Sequence, residues 1–387
     1  MPMRRWSRFL EPFPVPPSTE TVAARLLGLA CEGVRGLRPY QPGKPLEELE
    51  REYGIRDAVK LASNENPLGP GERALAAARE ALREFHRYPD GNGFALKQAL
   101  ARHHGVAMEQ LVLGNGSNDV LEFLARVLLT PQHEAIFSRH TFAVYPIVTQ
   151  AVGARAVVTP ARDWGYDLAA IAAAVSERTR VIFVANPNNP TGTWLPASEL
   201  EAFARELPQH VVLVVDEAYR EYVEAPGYAS ALTWCADCAN VVVTRTFSKA
   251  HGLAGLRVGY AIAHAQLADL LNRVRQPFNV NSVALAAAEA SLQDKDYLTR
   301  AVALNRAGMA QLTAGLQGLG LNYIPSVGNF ISFELPGDAG EVYEQLLRRG
   351  VILRPVANYQ MPQHLRVSIG TAEENQRFLT ALGEVLA

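Results

Sequence analysis

The stretch TRTFSKAHGLAGLRVGY, residues 244–260, places a lysine where a nucleophile could act. Lys249 comes shortly after the apolar, β-branched run NVVVT, which predicts a buried strand. A lysine on a buried turn beside other cations has a lowered pKa and becomes a nucleophile towards carbonyl groups. The hydroxyls of Thr246 and Ser248 and the two-pronged guanidinium of Arg257 are suited to a phosphate. The alternative interpretation is an ordinary solvated lysine.

A carboxylate ends another predicted strand. In VVLVVDEAY, five apolar residues precede Asp216, so its carboxylate emerges at the buried edge of a sheet. A buried carboxylate is unfavourable unless a cation or a hydrogen-bond donor lies beside it. Tyr219 follows three positions later. Aspartate is also a good helix N-cap, and this motif alone does not distinguish the two roles.

Two turns rich in glycine or asparagine follow further predicted strands. VANPNNPTG, residues 184–192, contains Asn189 and predicts a rigid turn whose amides can point at a ligand. In LGNGSNDVLEFLARVLL, residues 113–129, glycines let the backbone approach a ligand. The amides of Ser117 and Asn118 then begin a helix that can bind an anion. The pattern is neither the dinucleotide fingerprint nor the P-loop, and an ordinary loop is the alternative.

These groups together match one ligand, pyridoxal 5′-phosphate. This cofactor needs a lysine for its aldehyde and a carboxylate for its pyridinium nitrogen. It also needs donors for its phenolate oxygen and a cradle for its phosphate. The sequence therefore predicts a pyridoxal-phosphate enzyme. It predicts no metal site, because the single C-x-x-C pair, CADC, has no second pair to complete a set of ligands.

The order of apolar runs predicts an α/β fold with a mostly parallel sheet. From about residue 59, runs such as RVIFVAN alternate with helical stretches such as SNDVLEFLARVLL. Several runs are apolar throughout, as in a sheet covered by helices on both faces, where ligands bind beyond the carboxyl ends of the strands. An Ala-rich stretch and mixed elements later in the chain predict a smaller α+β domain. We expect a partly disordered N-terminal arm at 1–34, a segment packing with the small domain at 35–60, a large cofactor-binding domain at 61–280 and the small domain at 281–387.

Composition argues against several classes of protein. The net charge of −2 disfavours a nucleic-acid partner. No apolar run approaches the roughly 20 residues that span a bilayer. The N-terminal MPMRRWSRFLEPFPVPPSTE is basic and then proline-rich, and it lacks the apolar core of a signal peptide. The three cysteines are too few for a disulfide framework. We therefore expect a cytoplasmic protein that acts on small molecules.

Four motifs in this order, NPNNPTG, DEAY, SKAHGLAGLRVGY and LRVSIGT, resemble the fold type I pyridoxal-phosphate aminotransferases over roughly residues 35–387. LASNENPLGP, RYPDG and GNGSND are similar to motifs of the histidinol-phosphate aminotransferases within that family. The resemblance implies a large domain with a seven-stranded sheet, bound pyridoxal phosphate and a homodimer. It also implies transfer of an amino group between L-histidinol phosphate and 2-oxoglutarate, in histidine biosynthesis.

The resemblance further implies a role for each residue at the cofactor. Lys249 would bond to the cofactor and later move the proton, and Asp216 would pair with the ring nitrogen. Asn189 and Tyr219 would donate to the phenolate oxygen. The residues expected around the cofactor phosphate are Ser117, Asn118, Thr246, Ser248 and Arg257.

Other residues would bind the substrate or complete the site. Arg366 would bind the carboxylate of an amino or keto acid, with Asn189 beside it. Arg354 and Tyr40 match positions that bind the phosphate of histidinol phosphate. Tyr88 matches a tyrosine that reaches the cofactor phosphate of the neighbouring subunit, so each site of the expected homodimer would be shared.

One position departs from the family pattern. Where many relatives carry a tyrosine stacked on the pyridine ring, HTFAVYP offers Phe142, which can stack but has no hydroxyl to donate. Tyr145 is close in the same stretch, and the sequence does not place it.

Three alternatives to the histidinol-phosphate reaction stay open. Relatives with closely similar motifs transaminate aromatic amino acids. Threonine-phosphate decarboxylases share the fold and the means of binding phosphate. A cofactor-sensing module of a transcriptional regulator would need a DNA-binding domain, and the roughly 35 residues of the arm are too few and too proline-rich to form one.

Overall fold

The computed structural model describes residues 19–387. The strands in this part of the chain are β1 (Val59–Lys60), β2 (Leu111–Gly114), β3 (Glu134–Ser138), β4 (Arg155–Thr159), β5 (Ala161–Arg162), β6 (Gly165–Tyr166), β7 (Thr179–Ala185), β8 (Val212–Asp216), β9 (Val241–Thr246), β10 (Gly259–Ile262), β11 (Phe330–Glu334), β12 (Val351–Ile352), β13 (Arg354–Pro355) and β14 (His364–Ser368). The α-helices are α1 (Thr19–Leu29), α2 (Glu32–Arg35), α3 (Leu46–Tyr53), α4 (Glu72–Ala81), α5 (Phe94–His104), α6 (Ser117–Leu128), α7 (Val144–Ala151), α8 (Leu168–Ala173), α9 (Ala197–Glu206), α10 (Ala265–Val274), α11 (Ser282–Leu292), α12 (Lys295–Gly318), α13 (Ala339–Arg348) and α14 (Ala372–Leu386).

Seven strands form the central sheet, in the order β2-β10-β9-β8-β7-β3-β4. β10 runs antiparallel to both of its neighbours, and the pairs from β9 to β4 are parallel. Side chains such as Phe183 and Leu213 are fully buried within it. The central strands are apolar because helices cover both faces of the sheet, and alternating polar residues would have no water to reach. The predicted α/β fold with a mostly parallel sheet is confirmed.

The register of the parallel strands brings polar residues together at the carboxyl edge of the sheet. Ala185, the last residue of β7, lies opposite Asp216, the last residue of β8. Asp216 in turn lies opposite Thr244 of β9, which ends two residues later at Thr246. The asparagine-rich turn, Asp216 and the loop that carries Lys249 therefore leave the sheet side by side.

A smaller antiparallel sheet, β11-β14-β13, carries the two arginines singled out from the sequence. Arg354 of β13 and Arg366 of β14 are directly opposite partners in this sheet. A separate parallel pair joins β1 to β12. This pair fixes the chain that leaves β1 against the small sheet, where the amide of Leu61 donates to the carbonyl of Ile352 at 2.8 Å.

The predicted domain limits stay a prediction. The structure adds the contacts of α3, the contacts of α11 and the helices at the start of the described chain. Leu49 of α3 packs with Leu347 and Ile352 of the small domain. α11 packs with α4 and α5 of the large domain. Residues 1–18 of the predicted arm lie outside the described residues, whereas 19–34 carry α1 and most of α2 because no proline follows Pro17 there. Within residues 19–387 no helix is long and apolar enough to cross a membrane.

Candidate active site

A cavity of about 470 Å³ lies at the carboxyl edge of the central sheet, and its walls come from both sheets. Every predicted site residue except Tyr88 lines it. Those residues are Tyr40, Ser117, Asn118, Phe142, Asn189, Asp216, Tyr219, Thr246, Ser248, Lys249, Arg257, Arg354 and Arg366.

Lys249 lies in the loop between β9 and β10 with its amine in the cavity. Its Nζ donates to the carbonyl of Ser63 at 2.9 Å and lies 5.7 Å from the centre of the Tyr219 ring. Burial, assisted by the nearby charge of Arg366, lowers the pKa of Lys249 to about 7. The neutral amine, which is the nucleophilic and basic form, is therefore well populated at neutral pH.

Asp216 ends β8 with one carboxylate oxygen held and the other unpartnered. Oδ2 accepts a hydrogen bond of 3.0 Å from Tyr145, and Oδ1 has no partner among the described residues. Burial raises the pKa of Asp216 above its ordinary value, and the hydrogen bond from Tyr145 opposes this. A protonated nitrogen in the cavity would donate a hydrogen bond to Oδ1 and stabilise the anionic form of Asp216.

The structure places the two aromatic residues of HTFAVYP. Phe142 lines the cavity and meets Tyr145 edge-on, with ring centres 5.8 Å apart. Tyr145 is completely buried behind it and stacks on Phe183 at 4.8 Å. No pattern in the sequence predicts its bond to Asp216, which lies 71 positions later in the chain.

An anion-binding corner forms where α6 begins beside Arg257. The first residue before α6, Gly116, has no side chain to cap the helix, so the amides of Ser117 and Asn118 are left for a ligand. Arg257 donates through Nη1 to the hydroxyl of Ser248 at 3.2 Å. A Cβ at Gly116, whose φ is 86°, would lie 2.2 Å from Arg257 Nη2, so only glycine fits there. Thr246 is adjacent and accepts from the Ser248 amide at 3.1 Å.

Two buried arginines form a second cationic wall. Arg354 and Arg366 are each 5% exposed and lie directly opposite on adjacent strands, where like charges repel. Burial lowers the pKa of Arg366, and the charge of Arg354 adds to this. Arg366 donates to Oδ1 of Asn189 at 2.5 Å, and the Arg354 guanidinium lies 5.4 Å from the centre of the Tyr40 ring. This pair favours an anionic ligand, because an anion would offset both charges.

Tyr88 is the one predicted site residue outside the cavity. It is 82% exposed and stacks on Phe278 of the same chain with ring centres 4.6 Å apart. Its predicted place in a neighbouring subunit's site is not tested by a single chain.

Residues 62–64, which we term the strap, contact the site although no pattern in the sequence predicts a role for them. Their motif, LASNENPLGP, entered only as part of the family resemblance. The carbonyl of Ala62 accepts from Arg366 and that of Ser63 accepts from Lys249, while the Asn64 side chain donates to Tyr219. No sequence pattern signals these contacts, since two of them are made by backbone carbonyls.

Comparison with known proteins agrees with this arrangement. The family model described as aminotransferase class I and II matches residues 56–382. Histidinol-phosphate aminotransferase 1 of Nitrosococcus oceani is 57% identical over 358 residues, covering 92% of this chain and 97% of the relative. Histidinol-phosphate aminotransferase 2 of Pseudomonas aeruginosa is 59% identical over 363 residues, covering 93% and 98%.

Solved structures agree as well. The crystal structure of histidinol-phosphate aminotransferase from Sinorhizobium meliloti, in complex with pyridoxal-5′-phosphate, has a TM-score of 0.85 at 30% identity, covering 92% of this chain and 96% of that one. Thermus thermophilus aspartate aminotransferase with maleate shares the fold. Its TM-score is 0.78 at 24% identity, covering 90% of this chain and 100% of that one. The family match spans most of the chain, and the chain belongs to the class I and II aminotransferases.

Proposed function

We propose that the protein is a pyridoxal-phosphate-dependent aminotransferase that exchanges an amino group between L-histidinol phosphate and 2-oxoglutarate, as a step of histidine biosynthesis. One observation carries the proposal. A single cavity holds a lysine with a pKa of about 7, a buried carboxylate with a free oxygen and an uncapped helix N-terminus beside an arginine. The relatives, 54–59% identical, that carry the name histidinol-phosphate aminotransferase support the choice of substrate.

The residues fit pyridoxal phosphate in chemical type and in place. Asp216 Oδ1 would accept from the protonated ring nitrogen, and Lys249 would bond to the aldehyde carbon. Asn189 accepts from Arg366 through Oδ1, so its Nδ2 is the group available to donate to the phenolate oxygen, together with Tyr219. Phe142 would pack on the ring. The phosphate would lie at the start of α6, with Ser117, Asn118, Thr246, Ser248 and Arg257 around it.

When bound, pyridoxal phosphate supplies an electron sink for the carbon that loses its proton. Asp216 would keep the ring nitrogen of the cofactor protonated, because a buried carboxylate favours a cation beside it. The substrate amine would displace Lys249 from the aldehyde carbon, and the freed Lys249, neutral near pH 7, would then accept the proton from the substrate α-carbon and return it to the aldehyde carbon of the cofactor.

The two buried arginines suit the two substrates. Arg366 would pair with the carboxylate of glutamate or 2-oxoglutarate, and Arg354 with Tyr40 would bind the phosphate of histidinol phosphate. Guanidinium groups form two-pronged hydrogen bonds with carboxylate and phosphate alike, so one wall can serve both half-reactions.

We further propose a cytoplasmic homodimer. Tyr88 and Phe278 support a protein interface, because they are exposed and stack on each other, and clustered apolar side chains are rarely left in water. In that dimer Tyr88 would reach the neighbouring subunit's cofactor phosphate. The cysteines Cys31, Cys235 and Cys238 are all unpaired, which supports a reducing compartment.

The substrate is tested by comparing kcat/KM for histidinol phosphate and for phenylalanine, each with 2-oxoglutarate and added pyridoxal phosphate. We expect a strong preference for histidinol phosphate. A preference for phenylalanine would instead identify an aromatic amino acid aminotransferase. Release of carbon dioxide from threonine phosphate would identify a decarboxylase.

A further inference from the structure

The strap, residues 62–64, holds three side chains of the cavity through three consecutive residues. The Ala62 carbonyl accepts from Arg366 Nη2 at 2.7 Å, and the Ser63 carbonyl accepts from Lys249 Nζ at 2.9 Å. Asn64 differs from these two because it uses its side chain. Its Nδ2 donates to the hydroxyl of Tyr219 at 2.9 Å.

The small domain fixes Asn64 in place. Asn64 is 1% exposed and has a φ of 54°, a left-handed conformation that asparagine tolerates better than most residues. Its backbone amide donates to the Ser368 hydroxyl at 2.8 Å, and its carbonyl accepts from Asn329 Nδ2 at 2.9 Å. Both partners belong to the small sheet or its approach, so the strap connects that sheet to Tyr219.

Ser368 determines which way the side-chain amide of Asn64 points. The hydroxyl oxygen of Ser368 accepts from the backbone amide of Asn64, and the one hydroxyl proton of Ser368 is donated to Asn64 Oδ1 at 3.2 Å. With Oδ1 occupied as an acceptor, Nδ2 is the group that faces Tyr219, and it can only donate. The Tyr219 oxygen is therefore an acceptor in this bond.

A tyrosine hydroxyl has a single proton, so its partners decide where that proton goes. Because Asn64 donates to the hydroxyl oxygen of Tyr219, the hydroxyl proton of Tyr219 stays available for a bond within the cavity that its ring lines. An acceptor in place of Nδ2 would bind that proton instead. We propose that Asn64 is a positioning residue that directs the Tyr219 proton into the cavity, towards the phenolate oxygen of the bound cofactor.

This inference rests on the proposed function and predicts a spectroscopic effect. By donating to the phenolate oxygen, Tyr219 favours the deprotonated form of the bound cofactor and lowers the pH midpoint of its visible absorbance change. Weakening that bond should raise the midpoint. The shift expected from one hydrogen bond is roughly 0.5–1 pH unit.

A double-mutant cycle on the holoenzyme tests the route of the effect. The midpoint is measured for the wild type, Asn64→Gly, Tyr219→Phe and the double variant, with glycine chosen because it accepts a φ of 54°. If Asn64 acts through Tyr219, Asn64→Gly raises the midpoint in the wild-type background and leaves it unchanged in the Tyr219→Phe background. Equal shifts in both backgrounds would overturn the proposal, since a general disturbance of the site needs no Tyr219 hydroxyl.

Two further variants keep the result interpretable. Ser368→Ala keeps Asn64 but frees its side-chain amide to rotate. We expect a smaller rise in the midpoint, and we expect this rise to be absent in the Tyr219→Phe background. Asn66→Ala is the matched control, because Asn66 Nδ2 donates to the Tyr297 hydroxyl at 3.0 Å outside the cavity. It should leave the midpoint unchanged, and a rise equal to that of Asn64→Gly would also overturn the proposal.

The cycle separates failure of this inference from failure of the proposed function. A wild-type protein that shows no visible absorbance with pyridoxal phosphate would reject the proposed function itself. If the wild type titrates normally but Asn64→Gly shifts the midpoint equally with and without the Tyr219 hydroxyl, only the role of Asn64 is rejected.

Discussion

The hydroxyl of Tyr145 donates to Oδ2 of Asp216 at 3.0 Å, and Oδ1 of the same carboxylate has no partner within residues 19–387. Tyr145 is buried, and its ring is held by stacking on Phe183. One oxygen of Asp216 is thus held from behind while the other is left for a ligand. This arrangement orients the carboxylate before any ligand binds, which lowers the cost of ordering it on binding.

Removing this bond should weaken cofactor binding. In Tyr145→Phe the stack on Phe183 is kept, but the effect of burial on Asp216 is opposed less strongly, so the pKa of Asp216 rises further and less of it is anionic. We expect the Kd for pyridoxal phosphate to rise roughly 10- to 100-fold, the effect of one hydrogen bond to a charged group. Tyr166→Phe is the control, because the buried Tyr166 hydroxyl bonds to Thr141 and Ala185 rather than to Asp216. Equal losses in both variants would argue against the role of Tyr145.

Lys249 should make the cofactor-free protein sensitive to pH. Its pKa is lowered from 10.5 to about 7, so between these values the folded protein binds fewer protons than the unfolded chain. The free energy of unfolding should therefore rise with pH across that window, and the destabilisation is complete only below pH 7. We expect Lys249→Met to stabilise the cofactor-free protein by roughly 1–3 kcal/mol at pH 6, after allowance for solvent screening.

Denaturant unfolding at pH 6 and at pH 10.5 measures this effect. The gain of Lys249→Met over wild type should shrink towards zero at the higher pH. The same substitution at the exposed Lys295 serves as a control and should show no such trend. A gain that is independent of pH would show that the methionine packs better, and not that a charge was removed. The same Lys249→Met protein should also lack transaminase activity, and normal turnover would reject Lys249 as the catalytic residue.

Arg354 should discriminate between the two substrates. We expect Arg354→Gln to raise KM for histidinol phosphate roughly 10- to 100-fold, since a charge-assisted pair is lost, and to change KM for glutamate far less. Steady-state kinetics with each substrate varied in turn measures the two effects. Arg348→Gln, at an exposed arginine of α13, is the control for loss of charge. Equal increases for both substrates would argue against a phosphate site at Arg354.

The sequence was most informative where polar residues end apolar strands. Asp216, Asn189 and Lys249 could be predicted to meet because parallel strands deliver their carboxyl ends to one edge of a sheet. The family resemblance added Arg354 and Arg366, which belong to another sheet. The sequence around these two arginines has no local pattern that predicts that they line the cavity.

Contacts between distant segments could not be predicted in this way. Tyr145 reaches Asp216 because α7 packs behind the strand ends, and the aromatic residues of HTFAVYP look alike as sequence. Asn64 and Ser368 are 304 positions apart and meet because β1 pairs with β12 beside the small sheet. These contacts depend on how the small sheet is set against the large domain, which no single stretch of sequence records.

The proposed homodimer predicts that a weakened variant and an inactive variant restore activity when they are mixed. Tyr88 is 82% exposed and absent from the cavity of its own chain, so in the proposed dimer we expect its hydroxyl to serve the neighbour's site. We expect Tyr88→Phe, which keeps the stack on Phe278, to lose about tenfold in activity, as for one hydrogen bond to a phosphate. Lys249→Ala should be inactive.

Mixing the two variants under conditions that exchange subunits should then raise activity to about a quarter of wild type, because half of the randomly paired dimers are mixed and each mixed dimer has one intact site. That site combines Lys249 of one chain with Tyr88 of the other. If Tyr88 acted within its own chain, the mixed dimer would have no intact site, and activity would stay at the average of the two variants. A protein that runs as a monomer in sedimentation would exclude the shared site altogether.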